Sequence, residues 1–309
     1  MSLFRKILSE ASVVKIRFIL SLPIPRRLRN FIMWPVASRA VLDNEKERKL
    51  ANGLTLHTYL GDHLGRTALF YGHRVPYFWE PVTVRLVETL VENAREVLVA
   101  GAHIGLVALT TRVAMPKKSR VHTFEPIPEL FEIAKKNIAL NEDVGEIVIN
   151  KEALADSEGV VTMVSETLRS HVATDGGAGI ESKSTTIDAY AHKHKIKRFD
   201  LVLLDLEGYE PQALRGMEKT LAKESSRPKD IIFEVTPREL DLATYAEMRD
   251  MLTQAGYTLY IIRDDYLMQH LTHEAPQIHL VAESEGREDL ARTRYYNVYA
   301  TLRHPAEVA

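Results

Sequence analysis

The chain has 309 residues, 45% hydrophobic and 27% charged, which suits one large soluble domain with an appendage or two small domains. A formal net charge of -2 gives no global reason to expect nucleic acid as a partner. There is no cysteine, so disulfides, thiolate metal sites and cysteine nucleophiles are excluded, and a reducing, cytoplasmic setting is expected.

Charge is uneven along the chain. Residues 1–42 hold eight basic side chains, from Arg5 to Arg39, against Glu10 alone, a local charge of +7. Apolar residues such as Leu8, Phe18 and Trp34 are interleaved with them. No apolar run reaches the roughly 18 residues that span a bilayer. Charges recur through the first apolar stretch and no small-residue cleavage site closes it, unlike a secretory signal. Residues 1–53 therefore read as a basic, mainly helical extension and residues 54–309 as the principal domain. The extension either packs on that domain or offers, through residues 1–42, a peripheral contact with an anionic membrane surface.

From Leu54 onward the texture is that of a folded domain. "LTLHTYLGDH" and "TALFYG" read as short strands around a Gly-Asp turn. "VTVRLVETLVENA" has helical apolar spacing, "EVLVAG" is a short buried strand, and "LVALTTRVAM" is a helix stopped by Pro116. "RVHTFEP" is the next strand, "IPELFEIAKKNIALN" an amphipathic helix and "EIVINKEAL" a third strand. "VVTMVSE" reads as one more strand, and "TLRSHVATDGGAGIESKSTT" as an aperiodic loop. "TIDAYAHKHK" restarts a helix, "FDLVLLDLEG" is an apolar strand ending in acids, and "EPQALRGMEKTLAKE" is helical. After the strand "DIIFEV", the helix "LATYAEMRDMLTQAG" closes on Gly256, a C-terminal glycine. "YTLYIIR", "QIHLVAE" and "YYNVYATLR" follow as strands without a helical crossover. Alternating helices and continuous Val/Ile/Leu strands define an α/β fold with a mostly parallel sheet, and the last strands an antiparallel edge.

In such a sheet ligands bind beyond the carboxyl ends of the strands. The first strand ends in Gly101-Ala-His-Ile-Gly105, the second in Glu125-Pro126 and the third in Glu152-Ala153-Leu154. The fourth ends in Asp205-Leu-Glu207-Gly-Tyr-Glu210 and the fifth in Glu234. Gly101 permits a tight turn and Gly105 a close helix start. Glu125, about 20 residues on, is placed to accept two hydrogen bonds from a ribose diol. A dinucleotide turn carries a middle glycine so that peptide N–H groups approach a pyrophosphate. His103 and Ile104 stand there instead, which leans toward a nucleoside without phosphate, S-adenosylmethionine.

Taken in order, "FWEP", "GAHIG", "TFEP", "KKNIALN", "EALAD", "STTIDAY" and "LLDLEGYEPQALRG" resemble the FkbM family of S-adenosylmethionine-dependent methyltransferases. The likeness runs over roughly residues 54 to 262, and "DLEGYE" followed by "LRG" is its most specific part. The resemblance implies a class I methyltransferase (Rossmann-like) sheet with a final antiparallel strand beside the sixth. It implies that Gly101, Ala102, His103 and Gly105 line the methionine part of the cofactor. Glu125, with Pro126 beside it, would bind the ribose, and Ala153 and Leu154 would flank the adenine. It also implies O-methylation of a small-molecule or glycan acceptor: a hydroxyl on a sugar, glycolipid or secondary metabolite.

One position departs from the family turn, which normally reads Asp-x-Gly-Ala: Val99 stands where the acid that helps to hold the cofactor's ammonium is expected. Either another acid, for instance Asp205 or Glu80, takes the ammonium, or the domain is a non-catalytic scaffold. A nicotinamide-dependent dehydrogenase is the enzyme-class alternative. A hydroxyl acceptor needs a base. Asp205 is the best placed, as a base or a cofactor contact, with Glu207 beside it and His171 in the Gly/Ser-rich segment as the other candidates. No metal is expected, because the acid ending the fifth strand is followed by Val235, Thr236 and Pro237 rather than a second acid.

Overall fold

The computed structural model describes residues 46–58, 63–68, 72, 76–166, 169–172, 179–237, 240–264, 275–284 and 295–304. The basic segment 1–42 lies outside them. The described residues form two compact units, one ending at Trp79, the other comprising Glu80–Asp264 and the residues from Ala275 onward. In the first, β1 (Lys46–Lys49) and β2 (Thr55–Thr58) make an antiparallel hairpin, followed by a short helix α1 (His63–Thr67). Thr67, expected to open a strand, ends this helix instead.

The second unit runs α2 (Pro81–Val91), β3 (Glu96–Ala100), α3 (Leu106–Ala114), β4 (Arg120–Phe124), α4 (Pro128–Ala139) and β5 (Glu146–Asn150). Then come β6 (Ala153–Leu154), β7 (Gly159–Glu166), β8 (Arg169–Val172), β9 (Ile180–Thr185), α5 (Ile187–Lys193) and β10 (Leu201–Leu204). It closes with α6 (Glu210–Arg215), α7 (Glu218–Ala222), β11 (Asp230–Val235), α8 (Leu242–Gln254), β12 (Thr258–Ile262), β13 (Leu280–Ala282) and β14 (Tyr296–Thr301).

Eight of these strands form one sheet in the order β13-β12-β14-β11-β10-β3-β4-β5. β5, β4, β3, β10 and β11 are parallel. β14 runs antiparallel between β11 and β12, and β13 is an antiparallel edge on β12. This is the expected mostly parallel α/β sheet, with its final strand beside the sixth. The chain winds outward from β3 to β5, then restarts on the other side at β10. β3 and β10 therefore flank the point where strand order reverses, the position at which such sheets open a crevice.

Alternate strand residues feed two apolar layers. Leu98, Ala100, Val202, Leu204 and Phe233 pack with Ile187 and Tyr190 of α5, Leu214 of α6 and Met248 of α8. Val97, Val99, Leu201, Leu203 and Ile232 pack with Val82, Leu86, Val87 and Leu90 of α2 and Ala108 of α3. Strands buried on both faces need apolar residues throughout, hence their unbroken Val/Ile/Leu runs.

Three sequence expectations change in detail. "EIVINKEAL" is two strands, because the chain leaves the parallel sheet after Asn150 and β6 pairs instead with β9. The aperiodic loop contributes β8 and β9 to a second sheet, β6-β9-β7-β8, whose hairpin pairing supplies the order that side-chain periodicity lacks. "EPQALRGMEKTLAKE" is two short helices. The break falls at Gly216, where a Cβ would overlap the carbonyl oxygen of Ala155. Asp188 of α5 caps α7, accepting from the Lys219 and Thr220 N–H groups at 2.9 and 2.8 Å.

Candidate active site

The turn after β3 is built by close backbone packing. The N–H groups of Gly101 and Ala102 both donate to the Phe124 carbonyl, at 3.2 and 2.8 Å. Gly101 has φ +83°, and a Cβ there would overlap the carbonyl oxygen of Asp205. No side chain fits at 101, which is why residues 104 positions apart in sequence lie side by side. Gly105, at φ +88°, starts α3 against Ala134 of α4. Asn137, within "KKNIALN", is fully buried and donates from Nδ2 to the Ile104 carbonyl at 2.7 Å. That motif is thus an anchor for the turn.

Glu125, 4% exposed, clamps the same turn from β4. Its Oε2 accepts the His103 N–H at 2.8 Å and its Oε1 the Ile127 N–H at 3.0 Å. Burial pushes its carboxyl up to about 7, against those two N–H contacts. Each oxygen retains a second lone pair. Pro126 follows, partly buried, and Ala153 and Leu154 are buried in β6.

The acids that follow β10, and Glu234 near the end of β11, converge with Glu80, the residue preceding α2. Asp205 is raised to about 7 by burial and by Glu207. Glu210 is raised to about 8 by burial, while its Oε1 accepts the Leu206 N–H at 2.6 Å and so holds the turn into α6. Glu234 is raised to about 10 by burial and then by Asp205, Glu207, Glu210 and Glu80. Glu80 lies well above the usual carboxylate range through burial, then Asp205 and Asp264, opposed by a hydrogen bond from Asn297. Among the described residues, the charged groups acting on these carboxyls are one another and, for Glu80, Asp264 as well. Strain gathers here too: Glu80, His103 and Glu207 are non-glycine residues with φ of 36°, 48° and 50°.

Glu80 and Asp205 line one small cavity, about 20 Å³ of room for the centre of a water, with Thr83, Thr111 and Asn297 among its walls. The Thr111 hydroxyl is buried with no hydrogen-bond partner among the described residues. Val99 is fully buried in the apolar layer beside Leu203, which also lines that cavity. Among the described residues no three His, Asp or Glu side chains converge as a metal centre would require. The His171 backbone belongs to β8, but its side chain lies outside the described residues. Asp264 and Asn297 carried no motif. The available signal was a polar residue inside the apolar alternation of "YYNVYATLR" and an acid directly after a strand.

A mostly parallel sheet whose order reverses between β3 and β10, with an antiparallel strand beside β11, is the class I Rossmann-like methyltransferase fold, and the glycine turn and the carboxylate cluster lie at its crevice. Residues 100–259, just over half of the chain, match the family model described as Methyltransferase FkbM domain, and the chain belongs to that family. The comparison with curated proteins finds no match. Among solved structures, an O-methyltransferase from Bacillus cereus in complex with SAH is 11% identical, with 96% of this chain and 100% of that chain covered and a TM-score of 0.43. The O-methyltransferase TomG from Streptomyces achromogenes is 13% identical over 73% of this chain and 80% of its own, at a TM-score of 0.40. A precorrin-6y C5,15-methyltransferase from Geobacter metallireducens is 10% identical over 71% and 87%, at 0.37.

Proposed function

We propose that the protein binds S-adenosylmethionine at the β3/β10 crevice and transfers its methyl group to a hydroxyl of a sugar, glycolipid or secondary metabolite. The observation that carries this reading is the placement of the Gly101–Gly105 turn, clamped by Glu125, against Asp205 and Glu80 within an FkbM-family domain. The donor set fits a cation-bearing nucleoside. An alkylammonium brings three N–H donors, and Glu80, Asp205 and the unpartnered Thr111 hydroxyl offer acceptors around one cavity. A dinucleotide would bring a diphosphate to a wall of acids, which disfavours the dehydrogenase alternative.

When bound, the cofactor supplies a methyl group already activated on a sulfonium. The protein's part is alignment, exclusion of water and removal of one proton. Glu80 takes the ammonium that the missing acid at 99 would have held, which leaves Asp205 free to act as the base. Glu125 uses its remaining lone pairs for the ribose diol, and Ala153 and Leu154 flank the adenine. Asp205, raised to about 7, is part-ionised near neutral pH and accepts the hydroxyl proton, with Glu207 raising its basicity. The eight basic residues of 1–42 support a peripheral contact with anionic lipid, suited to a lipid-linked acceptor. Among the described residues no helix is long and apolar enough to cross a membrane.

Isothermal calorimetry with S-adenosylhomocysteine tests the reading. Binding is expected, and Glu125→Ala should weaken it by about tenfold or more. No heat at millimolar ligand overturns the catalytic reading. Binding that appears only after Val99→Asp would establish the scaffold reading in its place.

A further inference from the structure

Glu80 is held by residues from outside the segment that matches the family model. α2 has no cap of its own, since Glu80 precedes it at φ 36° and makes no capping bond. Asp264, two residues past β12, does that work: its Oδ1 accepts the Val82 N–H at 2.7 Å and its Oδ2 the Thr83 hydroxyl at 2.8 Å. Asn297 then donates from Nδ2 to Thr83 Oγ1 at 3.1 Å and to Glu80 Oε2 at 3.0 Å.

The direction of this chain follows from its chemistry. The Asp264 carboxylate only accepts, so the Thr83 hydroxyl must donate to it. Thr83 therefore has only a lone pair to offer Asn297, and Asn297 must present its NH2 group rather than its carbonyl. The same NH2 group faces Glu80. Asn297 itself is fixed from both sides, opposite Glu234 of β11 and Ile262 of β12 in the sheet register. Among the described residues, the charged groups facing Glu80 are Asp205 and Glu207 beyond β10, Glu234 of β11 and Asp264 beyond β12. Against these acids, the Asn297 amide is the contact that favours an ionised Glu80.

We propose that Asn297, oriented by Asp264 through Thr83, is the positioning residue that aims Glu80 at the cofactor's ammonium and stabilises its ionised form. This rests on the cofactor reading above. The site's grip on its cation is thus set from β14 and the end of β12.

The test is the affinity for S-adenosylhomocysteine from about pH 6 to about pH 9. It is measured for the wild type, Asn297→Leu, Asp264→Asn, Glu80→Gln and the double variant Glu80→Gln/Asn297→Leu. Asn297→Leu should weaken binding about tenfold near neutral pH, because a hydrogen bond to a charged group is lost. That loss should shrink as pH rises and Glu80 ionises unaided. The double variant should bind no more weakly than Glu80→Gln alone. Asp264→Asn, of unchanged shape, lets the chain of donors reverse and should show a smaller loss with the same pH dependence. It carries the test if Asn297→Leu does not fold. A loss that is constant with pH and adds to that of Glu80→Gln overturns the proposal, as does wild-type behaviour of Asp264→Asn for the orienting chain. Failure of the wild type to bind at all instead overturns the cofactor reading itself.

Discussion

Val99 stands where the family resemblance implies an acid, and the fold shows what surrounds it. The side chain is fully buried beside Leu203, in the layer that Val82, Leu86 and Val87 bring from α2. An isolated carboxylate among those groups would lose its hydration with no partner in the apoprotein. Val99→Asp should therefore destabilise the apoprotein by roughly 3–5 kcal/mol. Denaturant titration checks this, and S-adenosylhomocysteine should restore part of the loss by bringing an ammonium. An undiminished midpoint would mean that the floor of the site is wetter than its packing implies. Gly101 shows the opposite relation between sequence and space. Its glycine was readable as a turn, but its closest neighbour, the Asp205 backbone, was not. Glu125 was readable as an acid at the right offset, whereas its clamp on the His103 and Ile127 N–H groups depends on the turn's folded path.

Among the elements, β14 does more than close the sheet. Asp230, at the start of β11, is fully buried and accepts from Tyr299 at 2.7 Å, Thr301 at 2.8 Å and Arg303 Nε at 2.7 Å. Two of those donors come from β14 and the third from Arg303, two residues beyond it. Asp230→Ala would strand two buried hydroxyls and a guanidinium, at about 3–5 kcal/mol. Because β14 also presents Asn297, hydrogen exchange should show the α2 N-terminus loosening together with β14. Loss of global stability with unchanged protection at Val82 would separate the two. Helices and buried strands were legible because their periods are local. The split of "EIVINKEAL" between two sheets was not, since a strand's partner is chosen by the fold. Gly216 belongs to the same class: the helix break comes from the approach of Ala155, a residue about 60 positions earlier.

For the molecule as a whole, the acid cluster ties stability to pH. Asp205 and Glu125 are raised to about 7, Glu210 to about 8 and Glu234 to about 10, from ordinary values of 3.8 for Asp and 4.5 for Glu. Raised acids favour the protonated folded state. Their contribution is fully present below the unfolded values and is lost as pH rises through the folded ones. The melting temperature of the apoprotein should fall from about pH 6 to about pH 9, and Glu234→Gln should flatten the fall. Thermal scans across that range check the slope, and a rising profile would contradict the cluster's assigned charge state. A cationic ligand should stabilise the protein more at the upper end, where the acids are ionised.

The sequence by itself determined the α/β alternation, the glycine turn, the acids at the strand ends and the family likeness, because each is written in local spacing or residue type. The tertiary structure decided which of those ends meet. Strand order reverses between β3 and β10, so Gly101 and Asp205 touch. The last strand inserts beside β11, so Asn297 reaches Glu80 across more than 200 residues. Such juxtapositions are set by sheet order and buried packing, which no window of sequence contains.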